Sequence, residues 1–150
     1  MSLAPVETFK KYFKLFIYLL ILLSLVSCNL TRNDDDVQRA RISDILHRVR
    51  DGFNSRDINS IMSFYHDDFL HQGFTVRTQQ SIWLERFEYN MLEVEIIGID
   101  IRDEYAVARM RLRFHDGRGI TEVWAPEMLG DMSYFYHERG EWLIHGNRER

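Results

Sequence analysis

Residues 91–115 read MLEVEIIGIDIRDEYAVARMRLRFH, and the reading of this stretch decides the fold. Apolar and polar side chains alternate with a period of two on either side of Arg102-Asp103-Glu104, which predicts two half-buried strands over residues 91–101 and 104–115 joined by a tight hairpin. A three-residue loop sets Leu92, Val94, Ile96 and Gly98 opposite Phe114, Leu112, Met110 and Ala108, one continuous apolar face. On the reverse face Glu93 then meets Arg113 and Glu95 meets Arg111, so the charges pair in rows across the sheet. Downstream the same period predicts strands over 119–125, 132–138 and 141–147. With Asp116-Gly117 as a two-residue turn, Arg111 also meets Glu122, and Arg109 faces Trp124 without a carboxylate in register, free to stack on the indole. A turn at Arg139-Gly140 pairs Phe135 with Ile144, Tyr136 with Leu143, His137 with Trp142 and Tyr134 with His145. The whole run reads as an antiparallel meander.

Upstream the period changes to that of a helix. Ile42, Ile45, Leu46, Val49 and Phe53 form an apolar stripe, closed by Gly52 and Asn54. Asp57 caps a shorter helix with Ile58, Ile61, Met62 and Tyr65 on one side, and Gln72-Gly73 breaks the chain after Leu70. A third helix is predicted from Thr78 to near Asn90, turning Ile82, Trp83, Arg86 and Phe87 to one side. Helices first and strands after define an α+β domain over residues 37–150, with N-terminal helices packed on a strongly curved antiparallel sheet.

The N-terminus reads as an address. Lys10, Lys11 and Lys14 precede an apolar run from Leu15 to Val26 that is interrupted only by Ser24, a signal-peptide pattern over residues 1–27. A permanent span needs roughly 20 apolar residues, more than this run supplies. Its end, Leu25-Val26-Ser27-Cys28, resembles the lipobox of bacterial lipoproteins, which implies that Cys28 is acylated and holds the chain at a membrane. Asn29 follows where an Asp favours inner-membrane retention in that pattern, so the resemblance implies the periplasmic face of the outer membrane. Residues 28–36 then form the lipidated cysteine and a polar, flexible tether ending in three aspartates, which reaches at most about 29 Å beyond the anchor.

Charge and composition narrow the functions. The 150 residues carry a net charge of −4, and the first 27 account for +2 of it, which leaves the rest at −6 with no lysine at all. Such a domain cannot form a lysine Schiff base and is a poor match for a nucleic acid backbone. Cys28 is the single cysteine, so the folded part has neither a disulfide nor a thiolate nucleophile. His66, Asp67, Asp68 and His71 are the one dense group of possible metal ligands, but their spacing matches neither a zincin helix nor a calcium loop, and neither metal nor cofactor is expected.

The stretch Asp57–Gly73, DINSIMSFYHDDFLHQG, is similar to the second helix and first short strand of the nuclear transport factor 2-like superfamily, and Gly140–Asn147, GEWLIHGN, resembles its closing strand. The resemblance implies a cone-shaped α+β fold whose members include ketosteroid isomerase, scytalone dehydratase and polyketide cyclases beside many that only bind ligands or partners. In the enzymes an acid-base pair sits in the mouth of the cone. Candidates for that role are Tyr134 and His145, assisted by His66 or His71; residues expected to line a ligand are Trp83, Phe87, Tyr134, His145 and Trp142. Ile97, Ile99, Ile101, Tyr105 and Val107 on the outer sheet face present more apolar surface than water tolerates, so either a second copy or other chain segments cover it, and the resemblance implies a homodimer through the sheet. The expected function is therefore a lipid-anchored envelope protein whose domain binds a small apolar or amphipathic molecule, or a protein partner, without catalysis. An acid-base isomerase, dehydratase or cyclase and a structural assembly subunit are the two alternatives.

Overall fold

The computed structural model describes residues 34–148 together with Tyr18, so the expected signal peptide apart from Tyr18, Cys28 and most of the expected tether lie outside the described residues. The chain divides into two compact units, Met1–Gln38 and Arg39–Arg150. In the first, residues 34–38 are helical, including three aspartates expected in the tether. No helix among the described residues is long and apolar enough to cross a membrane.

The second unit is α+β, with helices covering an antiparallel sheet. Helix α1 (residues 39–54) buries Ile42, Leu46, Val49 and Phe53 completely. Gly52 lies inside the helix rather than beyond it, where a Cβ would stand 3.0 Å from Ile61 Cγ1 and crowd the contact between α1 and the segment that follows. Asn54 fastens the helix end to the sheet: its amide donates to Leu92 O (3.1 Å) and its carbonyl accepts from Leu92 N (2.8 Å). Helix α2 (Ile58–Met62) starts as expected at Asp57, whose carboxylate accepts from Ser60 N. The hairpin of β1 (Leu70–His71) and β2 (Phe74–Thr75) turns through Gln72 and Gly73, both at positive φ. Helix α3 (Val76–Arg86) begins two residues before Thr78 and stops at Arg86, short of Asn90.

Strands β3 (Met91–Arg102), β4 (Tyr105–His115), β5 (Ile120–Ala125), β6 (Tyr134–Glu138) and β7 (Glu141–Ile144) form the large sheet. The expected pairs Leu92 with Phe114, Glu93 with Arg113, Val94 with Leu112, Glu95 with Arg111 and Ile96 with Met110 are all present. Beyond Ile96 the expectation fails. A bulge between Ile96 and Gly98 sets Gly98 against Arg109 and Ile99, not Gly98, against Ala108, and the hairpin closes through two residues, Asp103 and Glu104. The extra residue reverses which side chains face the helices. Ile99 and Ile101 therefore pack on the core, while Ile97 stays half exposed.

Two further registers differ from expectation. Asp116 accepts from both Arg118 N and Gly119 N at 2.7 Å, which builds a four-residue loop in place of a two-residue turn. Arg113 therefore faces Glu122, and Arg111 faces Trp124. Arg111, not Arg109, stacks on that indole at 5.4 Å, while Arg109 lies 3.9 Å from Asp100. The strand order is β3-β4-β6-β7 with β5 also on β4, so the simple meander is corrected too. Strand β5 occupies β4 from Met110 to His115, and β6 takes the same edge at Tyr105–Val107. Strands β6 and β7 are shorter than predicted, although their register is the expected one.

Candidate functional site

On the face of the sheet away from the core, β6 and the end of β7 carry the residues first singled out for chemistry. His145 N donates to Tyr134 O at 2.8 Å, as the hairpin register requires, yet their rings find other neighbours. Tyr134 lies against His71 with ring centroids 5.8 Å apart, and His145 lies against Tyr136 (5.2 Å) and His66 (5.1 Å). His66 Nε2 stands 3.1 Å from Glu138 Oε2 while its Nδ1 accepts from Asp68 N at 2.9 Å. Arg148 reaches His145 Nε2 at 3.0 Å. Burial, then the Arg148 charge and His66, hold the His145 imidazolium below the ordinary histidine range.

The residues expected to line a ligand are structural neighbours of the core. Trp83 is fully buried, and Phe53 packs edge-on against Trp83, Phe87 and Phe114 at 5.4–6.0 Å, filling the space between α1, α3 and the sheet. Trp142 is buried beneath His137, their ring centroids 4.8 Å apart.

What the structure assembles beside this core is a buried polar cluster. Gln79, Trp83 and Arg86 share the inward face of α3 at helical spacing. Asp131, from the irregular segment before β6, is reached by Arg86 at 2.6 Å and by the Gln79 amide, both on Oδ2. Arg86 also lies over the Trp83 ring at 4.8 Å, and Trp83 Nε1 donates to the Tyr65 hydroxyl at 2.8 Å. Burial, followed by the Asp131 charge, holds the Tyr65 phenol well above its ordinary range, so it stays neutral. Gln79 Oε1, Asp131 Oδ1 and Ser133 Oγ have no hydrogen-bond partner among the described residues, an uncommon state for buried polar atoms.

Gln79, Arg86 and Asp131 line a cavity of about 70 Å³ together with His71, Gly130 and Phe74. Its mouth carries Phe74 and Met128, both substantially exposed. Gly130 permits the close approach of His71, since a Cβ there would stand 2.9 Å from the imidazole. Larger hollows of about 440 and 420 Å³ are open grooves at the surface, beside α1 and beside the end of α3. Among the described residues no group of three or more His, Cys, Asp or Glu could hold a metal ion.

Of the sequence candidates, His71 alone borders this cavity; Tyr134 stands beside it, and His66 and His145 form a separate pair. The reading of residue types missed Gln79 and Asp131. The signal for Gln79 was present, because its spacing of four from Trp83 puts an uncharged polar side chain at a core position of α3. Asp131 carried no such signal, since it lies in a segment without periodicity.

No known family model matches the chain, and no curated protein is significantly similar to it. Solved structures are similar in fold. An NTF2-like protein of unknown function from Pseudomonas putida KT2440 superposes with a TM-score of 0.59 at 15% identity, over 74% of this chain and 84% of that one. A putative scytalone dehydratase from Novosphingobium aromaticivorans gives 0.56 at 9% identity, over 77% and 84%. Bd1075 of Bdellovibrio bacteriovorus gives 0.55 at 15% identity, over 76% of this chain but 40% of that longer chain.

Proposed function

Starting from a domain with the nuclear transport factor 2-like fold, we propose that this protein is a membrane-tethered binding module whose cavity beside α3 takes one polar end of a small amphipathic molecule. The observation that carries the reading is the pair of unpaired acceptors, Gln79 Oε1 and Asp131 Oδ1, on residues lining that cavity. A buried acceptor without a donor costs about 1–3 kcal/mol, so a ligand that supplies N–H or O–H groups recovers that loss. Arg86 already neutralises Asp131, and a cationic head would bring an uncompensated charge into the site. The fitting head is thus neutral and rich in donors, such as a primary amide or a hydroxyl pair. The apolar remainder meets Phe74 and Met128 at the mouth.

Binding rather than turnover is favoured by the state of Asp131. Its Oδ2 already accepts from Gln79 and Arg86, so that oxygen is engaged within the protein and not open to a reacting group. The enzyme alternative has one observation of its own, the presence of His71 and Asp131 on the same cavity. Native mass spectrometry of the full chain released from detergent separates the two. The binding reading expects an unchanged co-purified molecule that is lost in Asp131→Asn. A new product mass formed by the wild type and not by that variant favours catalysis, and no adduct at all sinks the binding reading.

Tethering is proposed through an acylated Cys28, at the periplasmic face of the outer membrane; Cys28→Ser is expected to move the chain into the soluble fraction. Pairing with a second copy through the sheet face keeps weaker support, because exposed Ile97, Tyr105 and Trp124 remain there while Ile99 and Ile101 do not.

A further inference from the structure

The chain segment after α2 runs beside β7 and its extension, and the two are joined along their length. Ile144 N donates to Phe64 O (2.8 Å), His66 N to Ile144 O (2.9 Å), Leu70 N to His145 O (3.1 Å) and Arg148 N to Leu70 O (2.9 Å). Gly146 sits so close that a Cβ would stand 2.3 Å from Leu70 O, and its φ of +77 suits glycine. This seam holds three of the six histidines in the chain, and each accepts a hydrogen bond, His71 from across the seam and His66 and His145 from within their own segments. His66 Nδ1 accepts from Asp68 N (2.9 Å), His71 Nδ1 accepts from Asn147 N (3.4 Å), and His145 Nε2 accepts from the Arg148 guanidinium (3.0 Å).

The chemistry of these contacts is one-directional. A backbone N–H and a guanidinium can only donate, so each imidazole must offer a lone pair and therefore be neutral. A proton added to an accepting nitrogen turns it into a donor facing a donor, and the bond is lost. We propose that residues 66–72 and 144–148 form an acid-labile clasp, closed while these imidazoles are neutral and opened by their protonation through loss of the Asn147–His71 bond and repulsion between the His66 and His145 rings across the seam, which frees the His71 wall of the cavity. The gating role rests on the ligand-binding reading above; the clasp itself does not.

Charges facing the three rings come from every neighbouring element. Glu138 on β6 and Asp68 favour the charged form of His145, Glu138 stands 3.1 Å from His66 Nε2, and Arg86 and Asp131 share the cavity with His71. Arg148 and the second imidazole of the His66–His145 pair oppose a second proton, since the two rings are 5.1 Å apart. Tyr134 flanks the His71 ring and Tyr136 the His145 ring, their centroids 5.8 and 5.2 Å away. His145, desolvated and beside Arg148, resists protonation, so full opening lies below the ordinary histidine range rather than at neutral pH.

Amide hydrogen exchange on the full chain in detergent tests this. Between about pH 7.5 and pH 5, the protection factors of the Asp68, Leu70, Asn147 and Arg148 amides are expected to fall about tenfold or more, and those of Leu92 and Leu112 by less than about threefold. The variant His66→Asn, His71→Asn, His145→Gln keeps an acceptor oxygen near each position and removes the titration, so the selective fall should vanish. Equal protection at both pH values, or a fall that persists in the variant, overturns the clasp. Should the triple variant not fold, His145→Gln alone must shift the midpoint of the wild-type loss, and an unshifted midpoint overturns it equally. Benzamide, a neutral donor-bearing probe, is titrated at both pH values in parallel. Affinity that changes about tenfold with clasp opening supports the gate, and unchanged affinity overturns it. No binding at either pH fails the ligand-binding reading and leaves the clasp to the exchange data.

Discussion

Arg86 and Arg111 are both arginines paired with carboxylates, yet their surroundings give them different weight. The side chains of Arg86 and Asp131 are 15% and 6% exposed, whereas Arg111 shares Glu95 and Glu122 in a solvated row with Arg113. Removing one member of a buried pair strands the other charge in a low-dielectric setting, which costs about 3–5 kcal/mol; an exposed pair is worth about 1 kcal/mol or less. Arg86→Ala is therefore expected to lower stability by about 3 kcal/mol or more, and Arg111→Ala by about 1 kcal/mol or less, in denaturant unfolding at neutral pH. A loss at Arg86 no larger than at Arg111 would show that Asp131 is not a buried charge. At this scale the cluster was half legible: Gln79, Trp83 and Arg86 follow from helical spacing, and Asp131 does not, because nothing local says which helix a loop carboxylate will meet.

The bulge in β3 shows how one residue changes the character of a surface. Ile97, Ile99 and Ile101 share one parity in the sequence and would share one face in a regular strand. The shift between Ile96 and Gly98 turns the last two toward Ala108 and Ala106, which are buried, and leaves Ile97 outside at 50% exposure. Small alanines on β4 leave room that two isoleucines fill, so the bulge places apolar volume where the core can use it. Ile99→Ala is expected to cost about 2 kcal/mol and Ile97→Ala less than about 1 kcal/mol, read as shifts in the urea midpoint. Reversed costs would mean that the strand is regular and that the apolar outer face exists as alternation alone predicts.

For the molecule as a whole, pH enters through His145. Its folded-state pKa lies below the ordinary value, first by burial and then by the Arg148 charge, so the folded protein binds this proton less readily than the unfolded chain. The stability it contributes is present above about pH 6.5 and is lost as pH falls from there toward the depressed value. Thermal unfolding temperatures should fall across that window and fall less in His145→Gln; a wild-type profile that rises on acidification contradicts the assigned direction. The sequence by itself determined the α+β class, the helical stripe of α1, the Asp57 cap and the upper half of the β3–β4 ladder, because each depends on periodicity or on groups a few residues apart. It also determined the pairs of the last hairpin, where the turn at Arg139-Gly140 sets the register. Tertiary structure alone decided the bulge, the return of β6 to β4, the meeting of Asp131 with α3 and the seam of histidines, because those contacts are chosen by packing volume and buried charge across segments far apart in the chain.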